Sequence, residues 1–406
     1  MLTCCAQSKS RSVAAFLLIS MLFSCILSST SSEISDYEYQ GSDPCEFIDD
    51  LSFDSNSANA SITWQTDLGP RLPGSNASQN LRTSIIENLS DWTFEESSHQ
   101  RENFTLTNLV GTFSPLNSTG QNVVFVAHYD SRYMAERDEN ESMRDKPIDG
   151  ANDGGSGVAV LIELGKIIPQ MNLNHDVTLF FSDAEDQGIP GGGYPLTWSY
   201  GAYAWVENLT ESYKENISAY IVIDMIGDKY LDFTKVTDTS NQLWETIVPI
   251  TAALGMMEEE TDCNGEYGLE IFNPNRTRGV IDDHVPAHEA GIPAINFIDI
   301  NYGEDAERWG GYWHTHEDTA DKVSAESLGL IGNILEIGLR TSAWTLEPSQ
   351  INNEEIDNNS TTNFDSNLDD SKQKTIEKSV VVGYISIIIV SFILVLILMA
   401  DISLKL

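Results

Sequence analysis

The chain has 406 residues, room for one large domain or two small ones, and its 41% hydrophobic content excludes a wholly disordered polypeptide. Its 62 acidic against 22 basic residues leave a net charge of −40. No Lys/Arg cluster interrupts that acidity, so no nucleic-acid partner is expected and the acidity is read as solubility. Of the five cysteines, Cys4, Cys5 and Cys25 belong to the leader, leaving Cys45 and Cys263 in the body. These two could form one disulfide, but the sequence does not establish their proximity.

Residues 1–30 read as a signal peptide or N-terminal anchor. Lys9 and Arg11 precede an apolar run over 13–27 that is short for a membrane span and ends in small polar residues. A polar, acidic linker follows over 31–45, and the expected main domain runs from 46 to 346. Within it, residues 79–89 have the spacing of an amphipathic helix and 103–113 the content of a strand. Two short β-branched or aromatic runs, 123–127 and 177–181, flank a helical pattern over 158–168 that opens on Gly and Ser. Such a strand–helix–strand unit builds a parallel sheet. A glycine-rich loop (188–193) and an aromatic stretch, TWSYGAYAWVENL, come next. Further strands are expected over 219–223 and 294–298, and further helices over 242–254 and 324–344. The alternation predicts one α/β domain.

From 347 to 379 the composition turns to Asn, Asp, Ser and Thr, a disordered acidic stalk by expectation. Residues 380–400 carry no charge, and a helix there would cross a bilayer core of roughly 30 Å, leaving a short tail over 401–406. Lys372, Lys374 and Lys378 precede this run and Lys405 follows it, an asymmetry that opposes an outside domain. The export signal outweighs it, because a leader can commit a whole domain to translocation. The expected protein is therefore membrane-anchored with its domain extracellular or lumenal. Sequons at Asn59, Asn76, Asn88, Asn103 and Asn117 agree with that placement.

The chemistry-bearing residues fall at strand ends, where open α/β sheets bind ligands. His128 and Asp130 follow the first run, Asp153 opens the helix, and Glu185 and Asp186 follow the second run. A histidine and carboxylates gathered at one sheet edge suit a zinc-type cation.

Six ordered blocks, HYDSR, GANDGGSG, FFSDAEDQG, IDMIGD, DDHVPAHEAGIPAINFID and YWHTHEDTADKVS, resemble zinc metallopeptidase family 28, especially its glutaminyl-peptide cyclotransferase branch. The resemblance covers roughly residues 46–345. It implies a three-layer α/β/α fold with a central mixed, mainly parallel sheet and one or two Zn²⁺ per chain. By position, His128, Asp153, Asp186, Asp224 and His314 match the ligands of two-zinc peptidases, with Asp153 bridging. Only Asp153, Asp186 and His314 match those of the single-zinc cyclotransferases. Asp186 replaces the more usual Glu and is one methylene shorter. Glu185 matches the general base or acid, Asp130 the partner that orients His128, and Asp282 a hydrogen-bonding acid of the cyclotransferase pocket. Trp198 and Trp313 match a small apolar pocket around the substrate's first side chain. His284 and His316 are expected to be supporting residues, Trp205 core, and Asp283 a cap of the helix that follows it.

The expected substrates are peptide or protein N-termini. Cyclisation of N-terminal glutamine is the leading expectation, because 25 residues separate His128 from Asp153 and such a long connection resembles the cyclotransferases. A two-zinc aminopeptidase is the alternative. A non-catalytic receptor ectodomain is more remote, since every ligand position and the base are occupied. Oligomeric state is not legible in the sequence.

Overall fold

A computed structural model describes residues 41–101, 104–189 and 197–345. Helix α1 (Ser55–Asp67) starts where the Asp54 carboxylate accepts the Asn56 and Ser57 amides at 3.0 Å, satisfying donors that a helix start leaves bare. Ser75 caps α2 (Asn76–Asn88) in the same way. Strands β1 (Thr93–Arg101) and β2 (Phe104–Phe113) form an antiparallel pair, and β1, largely exposed and charged, lies at a sheet edge.

The strand–helix–strand unit read from the sequence is present as β3 (Asn122–His128), α3 (Gly155–Ile167) and β4 (Asp176–Ser182). Strand β3 is buried along its whole length, as a strand covered on both faces must be. It pairs parallel with β4 on one side and with β5 (Ile217–Asp224) on the other, and β5 pairs parallel with β8 (Ala294–Ile298). The six-stranded sheet has the order β1-β2-β4-β3-β5-β8. Its parallel core ends β3, β4, β5 and β8 on one edge, so the residues after those strands converge there.

Alternation along β3 sends Val123, Phe125 and Ala127 to one face, against α3 and α8 (Ala325–Arg340). Val124 and Val126 face the other way, toward α4 (Tyr200–Asn208) and α7 (His284–Glu289). On that second face Trp205 stacks on Phe180 with ring centroids 4.5 Å apart, so Trp205 is core, as expected. A short helix, α5 (Glu211–Asn216), leads into β5, and α6 (Asn241–Ala253) lies between the paired strands β6 (Phe233–Val236) and β7 (Phe272–Arg278).

One part of the expected fold class is overturned. The sequence placed a C-terminal transmembrane helix beyond the α/β domain, yet no helix among the described residues is long and apolar enough to cross a membrane. The longest, α8, has 16 residues and reaches about 24 Å, short of a hydrocarbon core of roughly 30 Å. Glu326, Glu336 and Arg340 also interrupt its apolar face. The 380–400 run, the 347–379 stalk and the 1–30 leader lie outside the described residues.

Cys45 and Cys263 are joined, with Cα atoms 5.5 Å apart across a sequence separation of 218 residues. The bond ties the first described turn to the loop after α6. Closing so long a loop restricts the unfolded chain, by up to about 5 kcal/mol on the chain-entropy account. A Cys45→Ala/Cys263→Ala double variant is therefore expected to unfold at markedly lower denaturant, read by circular dichroism. Reductant should reproduce the loss in the native protein and leave the variant unchanged.

His175, 1% exposed just before β4, has its Nε2 without a partner. Burial lowers its pKa to about 4, with Asp176 pulling weakly the other way. Because the folded pKa lies below the unfolded value near 6.5, this group adds no penalty above pH 6.5 and costs stability as pH falls toward 4. The cost grows by up to about 1.4 kcal/mol per pH unit. A His175→Gln variant should lose that share of the pH dependence between 6.5 and 4 in denaturant titrations.

Candidate metal centre

Sheet geometry brings the five expected ligands together. His128 is the last residue of β3 and Asp224 the last of β5. Asp186 lies four residues beyond β4, Asp153 sits in the turn before α3, and His314 comes from the long segment after β8. Gly154 permits the Asp153 turn. Its φ is +79°, and a Cβ there would stand 2.8 Å from the His128 ring and 2.9 Å from the Asp130 carbonyl. Asp318 fixes the same turn by accepting the Asn152 and Asp153 amides at 2.8 and 3.2 Å.

The donors form two groups that share one carboxylate. His128 Nε2 lies 3.2 Å from Asp153 Oδ1 and 3.1 Å from Asp224 Oδ1. His314 Nε2 lies 3.6 Å from Asp153 Oδ2 and 3.1 Å from Asp186 Oδ1. Two ligands on a tetrahedral zinc at about 2.0–2.1 Å stand about 3.3 Å apart, so this donor set fits zinc. Asp153 Oδ2 and Asp186 Oδ2 are moreover buried without any hydrogen-bond partner, which for a carboxylate is costly unless a cation takes up the lone pairs.

Asp130 ties strand ends together. Its Oδ1 accepts the Glu185 amide at 3.0 Å and stands 3.4 Å from His128 Nδ1, while Oδ2 accepts the Asp186 amide at 3.1 Å. Asp130 thus faces His128 Nδ1, where a partner that orients the ring would stand, at a separation longer than an ordinary hydrogen bond. Glu185 lines the same cavity as the donors, its Oε1 accepting from Ser199 Oγ at 3.2 Å. Asp282 accepts from Asn296 Nδ2 at 2.7 Å, and its carboxylate clusters with those of Glu185 and Asp283. Asp283 differs from expectation. It caps no amide of α7, and instead its carboxylate accepts from Ser182 Oγ.

Burial pushes Glu185 well above the ordinary carboxylate range, with Asp282 adding to the shift. Burial and Asp153 raise Asp186 to about 6, and burial with Asp224 raises Asp282 to about 6. Burial also opposes charge on the two histidines, but the facing carboxylates outweigh it. They hold His128 well above its usual value and His314 at about 9. Ala184, Ser199, Met225 and His314 all adopt left-handed backbone, with φ between 49° and 61°. Such strain in four non-glycine residues at one place marks a site held by its surroundings.

A cavity of about 280 Å³ opens on this edge, floored by Asp153, Glu185, Asp186 and His314 and walled by Trp198, Trp309 and Trp313. Trp313 stacks on His314 at 3.7 Å, and Trp198 lies 6.2 Å from the same ring. His284 and His316 stay outside it. His316 Nδ1 bonds Asp138 at 2.8 Å and His284 Nε2 meets the Thr237 carbonyl at 3.1 Å.

Several supporting residues escaped the sequence reading. Glu136, in the polar insert, accepts from His314 Nδ1 at 2.8 Å and is gripped by Arg132 at 2.9 Å. Burial opposes its charge, yet these two partners lower it to about 2. Arg71, wholly buried, clamps the two ends of the insert through the Tyr129 carbonyl at 3.0 Å and the Gly150 carbonyl at 2.7 Å. Trp309 was missed as well. The one available signal was the i, i+4 spacing of Arg132 and Glu136.

The model of peptidase family M28 matches residues 108–337. Among curated proteins, aminopeptidase YwaD of Bacillus subtilis is 26% identical over 243 residues, covering 57% of this chain and 44% of that protein. Leupeptin-inactivating enzyme 1 of Streptomyces exfoliatus is 28% identical, over 48% of this chain and 42% of that protein. The chain thus spans less than half the length of these curated relatives. Among solved structures, Tannerella forsythia glutaminyl cyclase is 28% identical with a TM-score of 0.59, covering 71% of this chain and 99% of that one. A Zn-dependent exopeptidase from Parabacteroides distasonis is 26% identical with a TM-score of 0.60, over 72% and 99%.

Glu136→Gln keeps size but weakens the hold on the His314 ring. Loss of such an outer carboxylate typically costs 10–100-fold in metal affinity, so zinc should dissociate that much more readily in chelator competition. Unchanged zinc affinity in a folded Glu136→Gln protein would remove Glu136 from the site.

Proposed function

The chain belongs to peptidase family M28, whose members are zinc-dependent enzymes, and on that premise we propose that it is a glutaminyl-peptide cyclotransferase. It would convert N-terminal glutamine to pyroglutamate and release ammonia. The observation that carries this reading is an asymmetry between the two donor groups. Asp153, Asp186 and His314 all line the aromatic cavity, whereas of the other group Asp153 and Asp224 line it but His128 does not. Asp153, Asp186 and His314 are also the three positions that the sequence matched to a single-zinc cyclotransferase. Similarity to the Tannerella forsythia enzyme over nearly its whole length supports the same reading.

Bound zinc would supply polarisation of the glutamine side-chain carbonyl. The remaining work falls to the protein. Trp198, Trp309 and Trp313 would surround one residue folded back on itself and exclude water, which would otherwise compete as nucleophile. As the α-amine attacks the side-chain carbonyl carbon, Glu185 takes the proton that the amine must lose. It delivers that proton to the departing amide nitrogen as the C–N bond breaks, and ammonia leaves without water being consumed. The Ser199 bond holds Glu185 for both transfers. Asp224 and Asp282 line the same cavity and in this reading accept hydrogen bonds from the substrate's amine and amide.

The second reading is a two-zinc aminopeptidase. It is favoured by Asp153, whose two oxygens face different histidines as a bridging carboxylate would require. Likeness to aminopeptidase YwaD points the same way.

Turnover of glutaminyl peptides and of leucine anilide, with zinc counted per chain, separates the two. The proposal expects ammonia release with one zinc and little anilide cleavage. Efficient anilide cleavage with two zincs would overturn it.

Within the site, Glu185→Gln should keep its zinc and lose at least about 10²–10⁴-fold in turnover. Asp186→Asn should lose zinc first, with partial recovery in excess metal. The opposite pattern would mean that these adjacent residues have exchanged roles.

A further inference from the structure

The cavity wall contains a cation that the chemistry above leaves unused. Arg308 is exposed and lines the cavity beside Trp309, and its Nη2 donates to the Gly279 carbonyl at 2.6 Å. Among the described residues it forms no ion pair. A second exposed arginine, Arg137, has its guanidinium 5.0 Å over the ring of the cavity residue Trp313 and likewise no carboxylate partner among the described residues. Trp313 packs on Trp309, the neighbour of Arg308, with centroids 4.7 Å apart. Such an arrangement is unusual in a chain with 62 acidic and 22 basic residues.

From it we infer that Arg308 is a specificity-determining residue that reads a carboxylate on the second residue of the substrate. The inference rests on the proposed action at peptide N-termini and adds the class of peptide preferred. At about 280 Å³ the cavity has room for little more than one residue, so the second residue lies at the rim. The floor carries Asp153, Glu185, Asp186, Asp224 and Asp282, so a substrate carboxylate is repelled there. At the rim it meets a guanidinium that has no protein carboxylate to give up. A planar guanidinium binds a carboxylate through paired N–H donors, which a lysine cannot imitate. Arg137, over the Trp313 ring, adds positive potential nearby.

The carboxylate has two sources, an acidic side chain or the terminus of a dipeptide, and both are tested. Peptide amides sharing one N-terminal residue would carry Glu, Gln or Lys second, and a dipeptide acid would be compared with its amide. kcat/KM would be measured for the native protein, Arg308→Gln, Arg308→Lys and Arg137→Gln at low and high salt. The native protein should prefer Glu over Gln by about 3–10-fold, with Lys poorest, and the preference should shrink with salt. Arg308→Gln should abolish the ratio, Arg308→Lys retain part of it, and Arg137→Gln reduce it. A preference confined to the dipeptide acid, and lost in Arg308→Gln, supports the same arginine reading a terminal carboxylate. A native order of Lys over Gln over Glu overturns the inference, because the net acidity of the protein would then govern the rim. A Glu preference that persists in folded Arg308→Gln overturns it too. Should no peptide be turned over, the proposed reaction fails. The Glu-to-Gln ratio of dissociation constants, read from quenching of tryptophan fluorescence in the same variants, still decides the role of Arg308.

Discussion

The concentration of buried acid at one sheet edge constrains everything else in this protein. Asp130, Asp153, Glu185, Asp186, Asp224, Asp282 and Asp283 are each 7% exposed or less. Like charges so close and so dry cannot all ionise without compensation. Burial and this mutual repulsion raise the pKa values of Glu185, Asp282 and Asp283. His128, His314 and Arg132 stand beside these carboxylates and offset part of it, and a divalent ion would offset more. A zinc-dependent family has reason to keep such a costly arrangement.

Holding these groups in place takes a scaffold of neutral and cationic donors. Asp130 spends its lone pairs on the amides of Glu185 and Asp186, so two strand ends become one unit. Arg71 closes the polar insert, and Arg132 carries the grip onward to the Asp186 carbonyl at 2.7 Å and to Glu136. Glu136 in turn fixes the ring of His314. Residues far apart in the chain thereby reach the metal donors through buried hydrogen bonds, whose strength depends on the exclusion of water.

The aromatic wall gives the edge a direction. Tryptophans flank His314, which lines the cavity, whereas His128 does not line it, so the two histidines differ in their surroundings. Access separates a site in which one metal meets substrate from one in which two share a water. Arg308, which lines the opening without an ion pair among the described residues, differs in sign from the carboxylates within it.

The sequence by itself determined the strand–helix–strand unit, the strand ends at His128 and Asp224, and the family to which six ordered blocks point. Those features are local. Period-two and helical spacing, β-branched content and turn residues such as Gly154 act within a few residues of one another. It left unread the elements whose signal is weak. Helix α1 is mostly polar, with only Ala58, Ser61, Ile62 and Gln65 buried, and the edge strand β1 reads as polar because most of it faces water. Only the tertiary structure decided that Cys45 meets Cys263, that Asp153 turns one oxygen to each histidine, and that Glu136 serves His314 across a sequence separation of 178. It also decided that Asp283 bonds Ser182 in place of the helix it precedes. Each of these depends on where a long connection returns to the sheet, and that is set by packing of the whole chain, which local spacing does not encode.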